Sequence, residues 1–371
     1  MKTYAVGGSV RDQMQGLPAS DMDYVVVGAT EREMLAAGFK PAGAFFPVFL
    51  HPETGDEYAL ARKEKKSGVG HTAFTVEFDP NVTLTEDLAR RDLTINAMAL
   101  TSDNILVDPF RGMKDLENKV LRHVSSAFAE DPLRVVRLAR FYARFSDFTV
   151  ADETVLLAQS VVLSGEMDTL SVERFWAEMD KMFRTCEKPD RFFAALWNFQ
   201  ALTNVKFFKE LLGPVYSVVD LHRFVKAAQV ATLAAPDFRL TAFVAMVAPV
   251  DAKLFGTTVD TQKLHQALWT MRSLPKMRSQ WTGEMVAKLL KRFGAVSQTS
   301  KTLENLVKLL SLGWSKMGSP MMPSELVALA NTAHTVRASE EMFEDLEGPA
   351  LGEAMLKERI RRMDEWELAN A

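Results

Sequence analysis

The 371-residue sequence has one cysteine, no long apolar run and no excess of positive charge. A single cysteine, Cys186, excludes an internal disulfide framework and a multi-cysteine zinc site. No stretch approaches the ~20 continuous apolar residues of a membrane-spanning helix. The N-terminal run MKTYAVGG is too short for a signal peptide, so we expect a cytoplasmic protein.

The net charge of -4 does not indicate the basic domain that is typical of nucleic-acid binding. Charge distribution matters more than the sum, because acidic surfaces elsewhere can mask a basic face. With 47% hydrophobic and 25% charged residues, the composition is that of an ordinary globular protein. The length suffices for two or three packed units.

The fold class follows from a change in hydrophobic pattern near Glu130. Before it, short Val-rich and aromatic runs alternate with Gly, Pro and Asp turns, which predicts strands and helices in a mixed sheet. After it, apolar residues recur at helical spacing. We therefore predict an α+β protein with an all-α extension. The predicted strands are Thr3–Val6, Tyr24–Val27, Pro47–His51, Glu57–Arg62 and Ile105–Asp108, and the main predicted helices are Thr30–Ala37, Leu84–Leu93, Leu133–Phe145, Asp152–Ser160, Val172–Arg184, Arg191–Gln200, Leu240–Met246, Gly283–Phe293, Lys301–Leu310 and Glu353–Trp366.

A phosphate-binding turn and a metal site are predicted near the N-terminus. Gly7 and Gly8 follow a strand and precede a helical segment, so a phosphate can approach the backbone and helical N–H donors. Arg11, one turn later, can add a charged contact to a triphosphate. Asp21 and Asp23 begin a strand with period two, which places both carboxylates on one side. Paired hard oxygen ligands suit Mg²⁺, and two metals held this way point to nucleotidyl transfer.

Four arginines share one face of the predicted helix at 133–145, at 100° per residue. They are Arg134, Arg137, Arg140 and Arg144, and Asp131 lies one turn before the first. Such a stripe fits a solvated or salt-bridged helix face, or contacts to triphosphate and base beside a nucleotide site. In the same way, Arg91 and Asp92 suit either helix-surface ion pairs or recognition of a ribose hydroxyl.

These segments together resemble the class II tRNA nucleotidyltransferase and poly(A) polymerase family of the polymerase-β superfamily. Residues 6–12 and 21–27 resemble its catalytic motif, residues 90–98 (RRDLTINAM) its ribose motif and residues 108–116 (DPFRGMKDL) its head-to-neck motif. Residues 130–134 (EDPLR) resemble the nucleotide-selecting helix, which 171–174 (SVER) and Glu178 buttress. The resemblance covers residues 1–185. It implies a polymerase-β-type head at 1–122, a helical neck at 123–204 and a helical body and tail at 205–371.

The resemblance also implies roles. Asp131 and Arg134 are expected to read the edges of C and A in place of a template, and Arg91 and Asp92 to hold the sugar. Gly8, Arg11, Arg137 and Arg140 are expected to hold the triphosphate, while Asp21 and Asp23 bind Mg²⁺ and are catalytic. A basic, Gly-containing segment at 62–71 reads as a mobile loop, which in the family is linked to the switch from C to A addition.

The C-terminal half departs from many bacterial relatives. Its histidines, His222, His265 and His334, lack an adjacent His-Asp pair, so no phosphohydrolase domain is expected. A solvated helix face or binding of tRNA phosphates explains its basic residues equally well. These candidates are Lys276, Arg278, Lys288, Lys291, Arg292, Lys357, Arg359, Arg361 and Arg362.

CCA addition to tRNA, from CTP and ATP, is the predicted activity, and no protein partner is implied. Poly(A) polymerase of the same family is the main alternative; it often has a long basic extension, whereas this chain ends soon after Trp366. A catalytically inert tRNA-binding protein is a second alternative, which the two carboxylates disfavour. A small-molecule nucleotidyltransferase has no use for the motifs at 90–92 and 130–134.

Overall fold

The computed structural model describes residues 1–18, 22–42, 48–66, 74–77, 79–212, 217–247, 262–266, 282–292, 301–311 and 323–370. Asp21, Lys276 and Arg278, three residues singled out above, lie outside these ranges, as does half of the predicted loop at 62–71. The chain divides into two compact units, one of residues 1–178 and 191–207 and the other of residues 179–190 and 208–371.

The first unit is built on a seven-stranded sheet in the order β3-β4-β5-β2-β1-β8-β9. In β2, Val25 packs into one hydrophobic cluster and Val26 into another, as expected where successive side chains point to opposite faces. A small sheet pairs β10 with β11, and β6 with β7 forms a separate hairpin. The strands are β1 (Lys2–Val6), β2 (Asp23–Val27), β3 (Lys40–Pro41), β4 (Val48–Leu50), β5 (Glu57–Leu60), β6 (Lys63–Lys66), β7 (Phe74–Glu77), β8 (Ala99–Leu100), β9 (Leu106–Val107), β10 (Val120–Leu121) and β11 (Thr149–Val150).

Helices dominate the described residues after β10. None of the helices in the described part of the chain combines the length and the apolar character needed to cross a bilayer. The helices are α1 (Gly8–Met14), α2 (Glu31–Ala36), α3 (Leu84–Ala89), α4 (Gly112–Glu117), α5 (Leu133–Arg144), α6 (Asp152–Leu163), α7 (Val172–Thr185), α8 (Asp190–Asn198), α9 (Ala201–Asn204), α10 (Lys206–Leu212), α11 (Val218–Ala231), α12 (Arg239–Val247), α13 (Gly283–Arg292), α14 (Lys301–Ser311), α15 (Pro323–His334) and α16 (Gly348–Asn370).

Two local predictions are wrong. The segment at 62–71 was expected to be a mobile loop, but Lys63–Lys66, which lie within it, pair with Phe74–Glu77 as an antiparallel hairpin. The aromatic and β-branched residues of the second strand favour this pairing. The helix expected at Leu84–Leu93 ends at Ala89. It ends early because the Asp92 carboxylate accepts the N–H of Leu93, whose backbone is extended.

Helix α4 lies unusually close to the backbone of a short 3₁₀ turn, Thr94–Asn96. A Cβ atom on Gly112 would stand 2.2 Å from the carbonyl oxygen of Thr94 and 2.8 Å from Cγ of Met98. The carboxylate of Asp108 accepts the N–H groups of Gly112 and of the next residue, which closes the start of the helix. Only glycine fits at this contact.

Candidate nucleotide-binding site

The turn between β1 and α1 brings three predicted site elements together. Gly7 has φ +81°, a conformation that glycine adopts without strain. A Cβ atom on Gly7 would stand 3.1 Å from Nη1 of Arg91 and 3.7 Å from Oδ2 of Asp23. Because Gly7 has no side chain, the guanidinium of Arg91 and the carboxylate of Asp23 can both lie next to its backbone, immediately before Gly8.

Strand pairing places Asp23 at this turn. β1 and β2 are antiparallel, and Val6 is opposite Asp23, which is the first residue of its strand and is exposed. The predicted carboxylate therefore lies at the accessible end of the sheet, beside the glycines. Asp21, its predicted partner, lies outside the described residues.

Asp92 is buried rather than solvent-facing. Its Oδ2 accepts Nε of Arg137 at 2.8 Å and lies 2.7 Å from Nη2 of the same residue, while Oδ1 accepts Nδ2 of Asn96 at 3.0 Å. Burial acts to raise the pKa of Asp92, but the charge of Arg137 and the hydrogen bonds from Asn96 and Arg137 outweigh it, so the pKa lies below its usual range. Asp92 is thus a permanent anion that joins the 90–98 segment to α5.

The arginine face of α5 is occupied by acidic partners. Arg140 donates from Nε to Oε2 of Glu178 at 2.5 Å, and Nη1 of Arg137 is 3.5 Å from Oε1 of the same carboxylate. Arg144 contacts Oδ2 of Asp12 at 3.1 Å. The structure therefore gathers the predicted triphosphate ligands Arg137 and Arg140 at one place, with their charges partly balanced.

Arg11 occupies a buried position. Its guanidinium donates to Oδ1 of Asp12 at 2.8 and 2.7 Å and to Oδ1 of Asn96 at 2.5 Å. The same group lies over the rings of Phe141 and Phe145, 5.5 and 5.2 Å from their centroids. Burial lowers the pKa of Arg11, and the charge of Asp12 works against that shift. In this structure Arg11 connects α1 to α5, and its contact with a triphosphate stays a prediction.

The predicted base-reading pair is held by neighbours. Asp131 receives two parallel hydrogen bonds from Arg174, at 3.2 and 2.7 Å, and a third from the N–H of Leu133 at 3.0 Å. Arg134 donates from Nη1 to the carbonyl oxygen of Ala127 at 2.5 Å. The two-pronged contact with Arg174 fixes the plane of the Asp131 carboxylate.

Asp12 and Asp87 received no role from the sequence patterns, yet both contact predicted site residues. Asp12 binds Arg11 and Arg144. Asp87 precedes Arg91 by one helical turn, at the i,i+4 spacing of helical ion pairs, and Nη2 of Arg91 lies 3.6 Å from its Oδ2. That spacing is the sequence signal that could have identified Asp87.

Comparisons with known proteins agree on one family. The family model of the poly A polymerase head domain matches residues 3–122. A CCA-adding enzyme of Pseudomonas putida (strain W619) is 39% identical over 378 residues, which covers all of both chains. A multifunctional CCA protein of Aromatoleum aromaticum is 58% identical over 205 residues, 55% of this chain and 50% of that protein. The chain thus spans about half the length of several curated relatives that it matches.

A solved structure shares the fold. The Thermotoga maritima CCA-adding enzyme, complexed with tRNA_CCA, aligns with 98% of this chain and 87% of its own, at a TM-score of 0.65 and 20% identity. At 20% identity, this likeness shows a shared fold alone.

Proposed function

Because the chain belongs to the class II tRNA nucleotidyltransferase and poly(A) polymerase family, we propose that it adds CCA to the 3′ end of tRNA from CTP and ATP and releases pyrophosphate. The observation that carries this proposal is the full-length similarity to the Pseudomonas putida CCA-adding enzyme. The turn at Gly7, which lies next to the side chains of Asp23 and Arg91, supports it. Since its substrates are tRNA and nucleoside triphosphates, we place the protein in the cytoplasm.

The family uses divalent metal, and we propose Mg²⁺ held by Asp23 and Asp21. The exposed carboxylate of Asp23 beside the open backbone of Gly7 supplies a hard oxygen ligand next to a position suited to phosphate. In the described part of the chain no three His, Cys, Asp or Glu side chains cluster. Mg²⁺ usually takes one or two protein carboxylates and completes its shell with water and substrate phosphates, so this donor set fits. When bound, the metal activates the 3′-hydroxyl of tRNA and stabilises the leaving pyrophosphate.

The surrounding residues would hold the nucleotide. We assign the triphosphate to Gly8, Arg11, Arg137 and Arg140, and the sugar to Arg91 and Asp92. Arg137 and Arg140 are already oriented by Glu178. Arg11 is 2% exposed, so direct contact with phosphate requires it to leave Asp12 and Asn96. Asp92 is paired with Arg137, so it would act on the nucleotide through that residue.

Asp131 and Arg134 would select the base. A carboxylate accepts and a guanidinium donates, so the pair can match the edges of C and A and leave unpaired groups against G and U. Such a readout needs a fixed carboxylate plane, which Arg174 provides through its two hydrogen bonds. The accuracy of the enzyme should therefore depend on Arg174.

Arg174→Lys is expected to lower the preference for CTP over UTP by about tenfold, because a lysine cannot make two parallel hydrogen bonds to one carboxylate. The measurement is kcat/KM for each nucleotide on a tRNA that lacks CCA. Arg184→Lys is the matched control, since Arg184 pairs with Asp180 on an exposed helix face. An unchanged preference in Arg174→Lys would remove Arg174 from base selection.

The C-terminal part of the chain would bind tRNA. We propose that residues 1–122 act as the head, 123–204 as the neck and 205–371 as the body and tail that hold the RNA. Several of the predicted phosphate contacts already pair with carboxylates on their own helices. These pairs are Lys288–Glu284, Lys357–Glu353, Arg361–Glu358 and Arg362–Glu358. The two lysine pairs are exposed and therefore weak, so a phosphate can displace their carboxylates, whereas Glu358 is buried.

The test uses three tRNAs: one that lacks CCA, one that ends in C and one that ends in CC. Each is incubated with Mg²⁺ and each labelled nucleotide. We expect two C additions and then one A addition, after which the reaction stops. Unlimited A addition would identify a poly(A) polymerase, and no incorporation would identify a tRNA-binding protein without catalysis.

A further inference from the structure

Asp87 is a fully buried carboxylate in the last turn of α3, with an exposed fraction of zero. Its Oδ1 accepts hydrogen bonds from Nε and Nη2 of Arg90, at 3.2 and 3.1 Å, and from the N–H of Arg62 at 3.4 Å. Its Oδ2 is buried and makes no hydrogen bond to the described residues. That oxygen faces Nη2 of Arg91 at 3.6 Å. One carboxylate thus contacts two adjacent arginines, Arg90 through Oδ1 and Arg91 through Oδ2.

Arg91 extends from Asp87 to the proposed catalytic edge. While Nη2 faces Asp87, Nη1 stands 3.1 Å from the position that a Cβ atom on Gly7 would take. Oδ2 of Asp23 lies 3.7 Å from that same position. Within the described ranges, the Arg91 side chain makes no hydrogen bond, and its Nε is buried without a partner. The guanidinium is therefore positioned at the turn with one edge ion-paired to Asp87 and with N–H donors that make no hydrogen bond to the described residues.

Charge keeps Arg91 in this position. Burial lowers the pKa of Arg91, and among the surrounding charges Asp87 is the strongest that opposes this shift. Asp92 and Asp23 also attract the guanidinium but more weakly. Without the Asp87 carboxylate the partly buried guanidinium of Arg91 would turn toward Asp23 or toward water, because an unpaired charge that is largely withdrawn from water is costly. Asp87 therefore determines where the donors of Arg91 point.

We infer that Asp87 is a positioning residue for nucleotide binding: it holds the Arg91 guanidinium beside Gly7 and Asp23, where that group meets the sugar of CTP or ATP. This inference rests on the proposed function. Asp87 acts through Arg91 and has no contact with the nucleotide of its own. Removal of the Asp87 carboxylate should therefore weaken nucleotide binding only while Arg91 is present.

The test is a double-mutant cycle on the full chain with Asp87→Asn, Arg91→Gln and the double variant. Asn matches Asp in size and can still accept the Arg62 N–H, so the substitution removes mainly charge. Titration calorimetry with CTP and Mg²⁺ gives Kd, and incorporation gives KM and kcat. Asp180→Asn, which breaks the exposed Asp180–Arg184 pair, is the matched control.

Asp87→Asn is expected to raise Kd and KM for CTP by about tenfold with kcat changed less than about threefold. In the Arg91→Gln background the same substitution should change Kd by less than about twofold. If Asp87→Asn raised Kd by the same factor with and without Arg91, the inference would be overturned, because a general structural role does not depend on Arg91. A normal Kd in Asp87→Asn would overturn it as well.

Folding does not obscure the test. If Asp87→Asn fails to fold, the double variant is expected to be more stable than Asp87→Asn, since one of the two cations that Asp87 balances is then also gone. If both fail to fold, Asp87 supports the fold independently of Arg91 and the inference is wrong. A wild type that binds CTP without adding CCA would refute the proposed function and leave the cycle measurable, whereas a wild type that binds neither CTP nor ATP would refute both.

Discussion

Asp23→Asn is expected to lower the rate of nucleotide incorporation by at least about a thousandfold. An amide oxygen is a neutral and weaker ligand for Mg²⁺ than a carboxylate, and Asp23 lies at the exposed sheet edge beside the glycine turn. Single-turnover incorporation of labelled CTP into a tRNA that lacks CCA measures the effect. The same loss is expected for Asp21→Ala.

Binding of tRNA separates catalysis from folding in this experiment. Its affinity should change less than about threefold in Asp23→Asn, since phosphate and shape contacts elsewhere dominate RNA binding. Asp103→Asn, on an exposed loop of the same unit, is the control and should incorporate normally. If Asp23→Asn retained a tenth or more of the wild-type rate, the metal assignment would be wrong.

Gly112→Ala is expected to lower the free energy of unfolding of the first unit by about 4 kcal/mol. The new methyl group would stand 2.2 Å from the carbonyl oxygen of Thr94, and backbone cannot move aside as a flexible side chain can. Because Thr94 begins the turn that carries Asn96, we expect nucleotide binding to weaken as well. Thermal and urea unfolding, with CTP titration of the folded fraction, measure both effects.

Gly352→Ala provides the matched control for this substitution. Gly352 lies inside α16 with no atom within 4 Å of its Cβ position, and alanine is the better helix former. The control should unfold at or slightly above the wild-type midpoint. Equal stability of Gly112→Ala and wild type would show that α4 and the 94–96 turn separate easily, contrary to the contact described above.

The main elements of the fold were predictable because their patterns are local. The strand expected at Tyr24–Val27 is present as Asp23–Val27, and the helix expected at Leu133–Phe145 as Leu133–Arg144. The hairpin strand Lys63–Lys66 was missed, because a run of charged residues has no strand-like alternation of apolar and polar residues and its pairing with Phe74–Glu77 is not visible in its own sequence.

The neighbourhood of the candidate site residues was predictable in part, and their contacts were not. Asp23 beside the glycines follows from strand pairing, which the period of two anticipates. The burial of Arg11 between Asp12 and Asn96 was not predictable, since Asn96 lies 85 residues away along the chain. An arginine that reads as a triphosphate ligand has the same spacing whether its guanidinium faces a ligand or a buried carboxylate.

The long sequence separations within the arginine network have a consequence for synthesis of the chain. Asp12 is joined to Arg144 across 132 residues, and Arg140 is balanced by Glu178 across another 38. At translation rates of about 5–20 residues per second, the interval between Asp12 and Glu178 is roughly 10 to 30 s. A nascent chain that already displays the glycine turn and Asp23 thus lacks the paired arginines, so we expect the proposed activity only after the segment that carries Glu178 has left the ribosome.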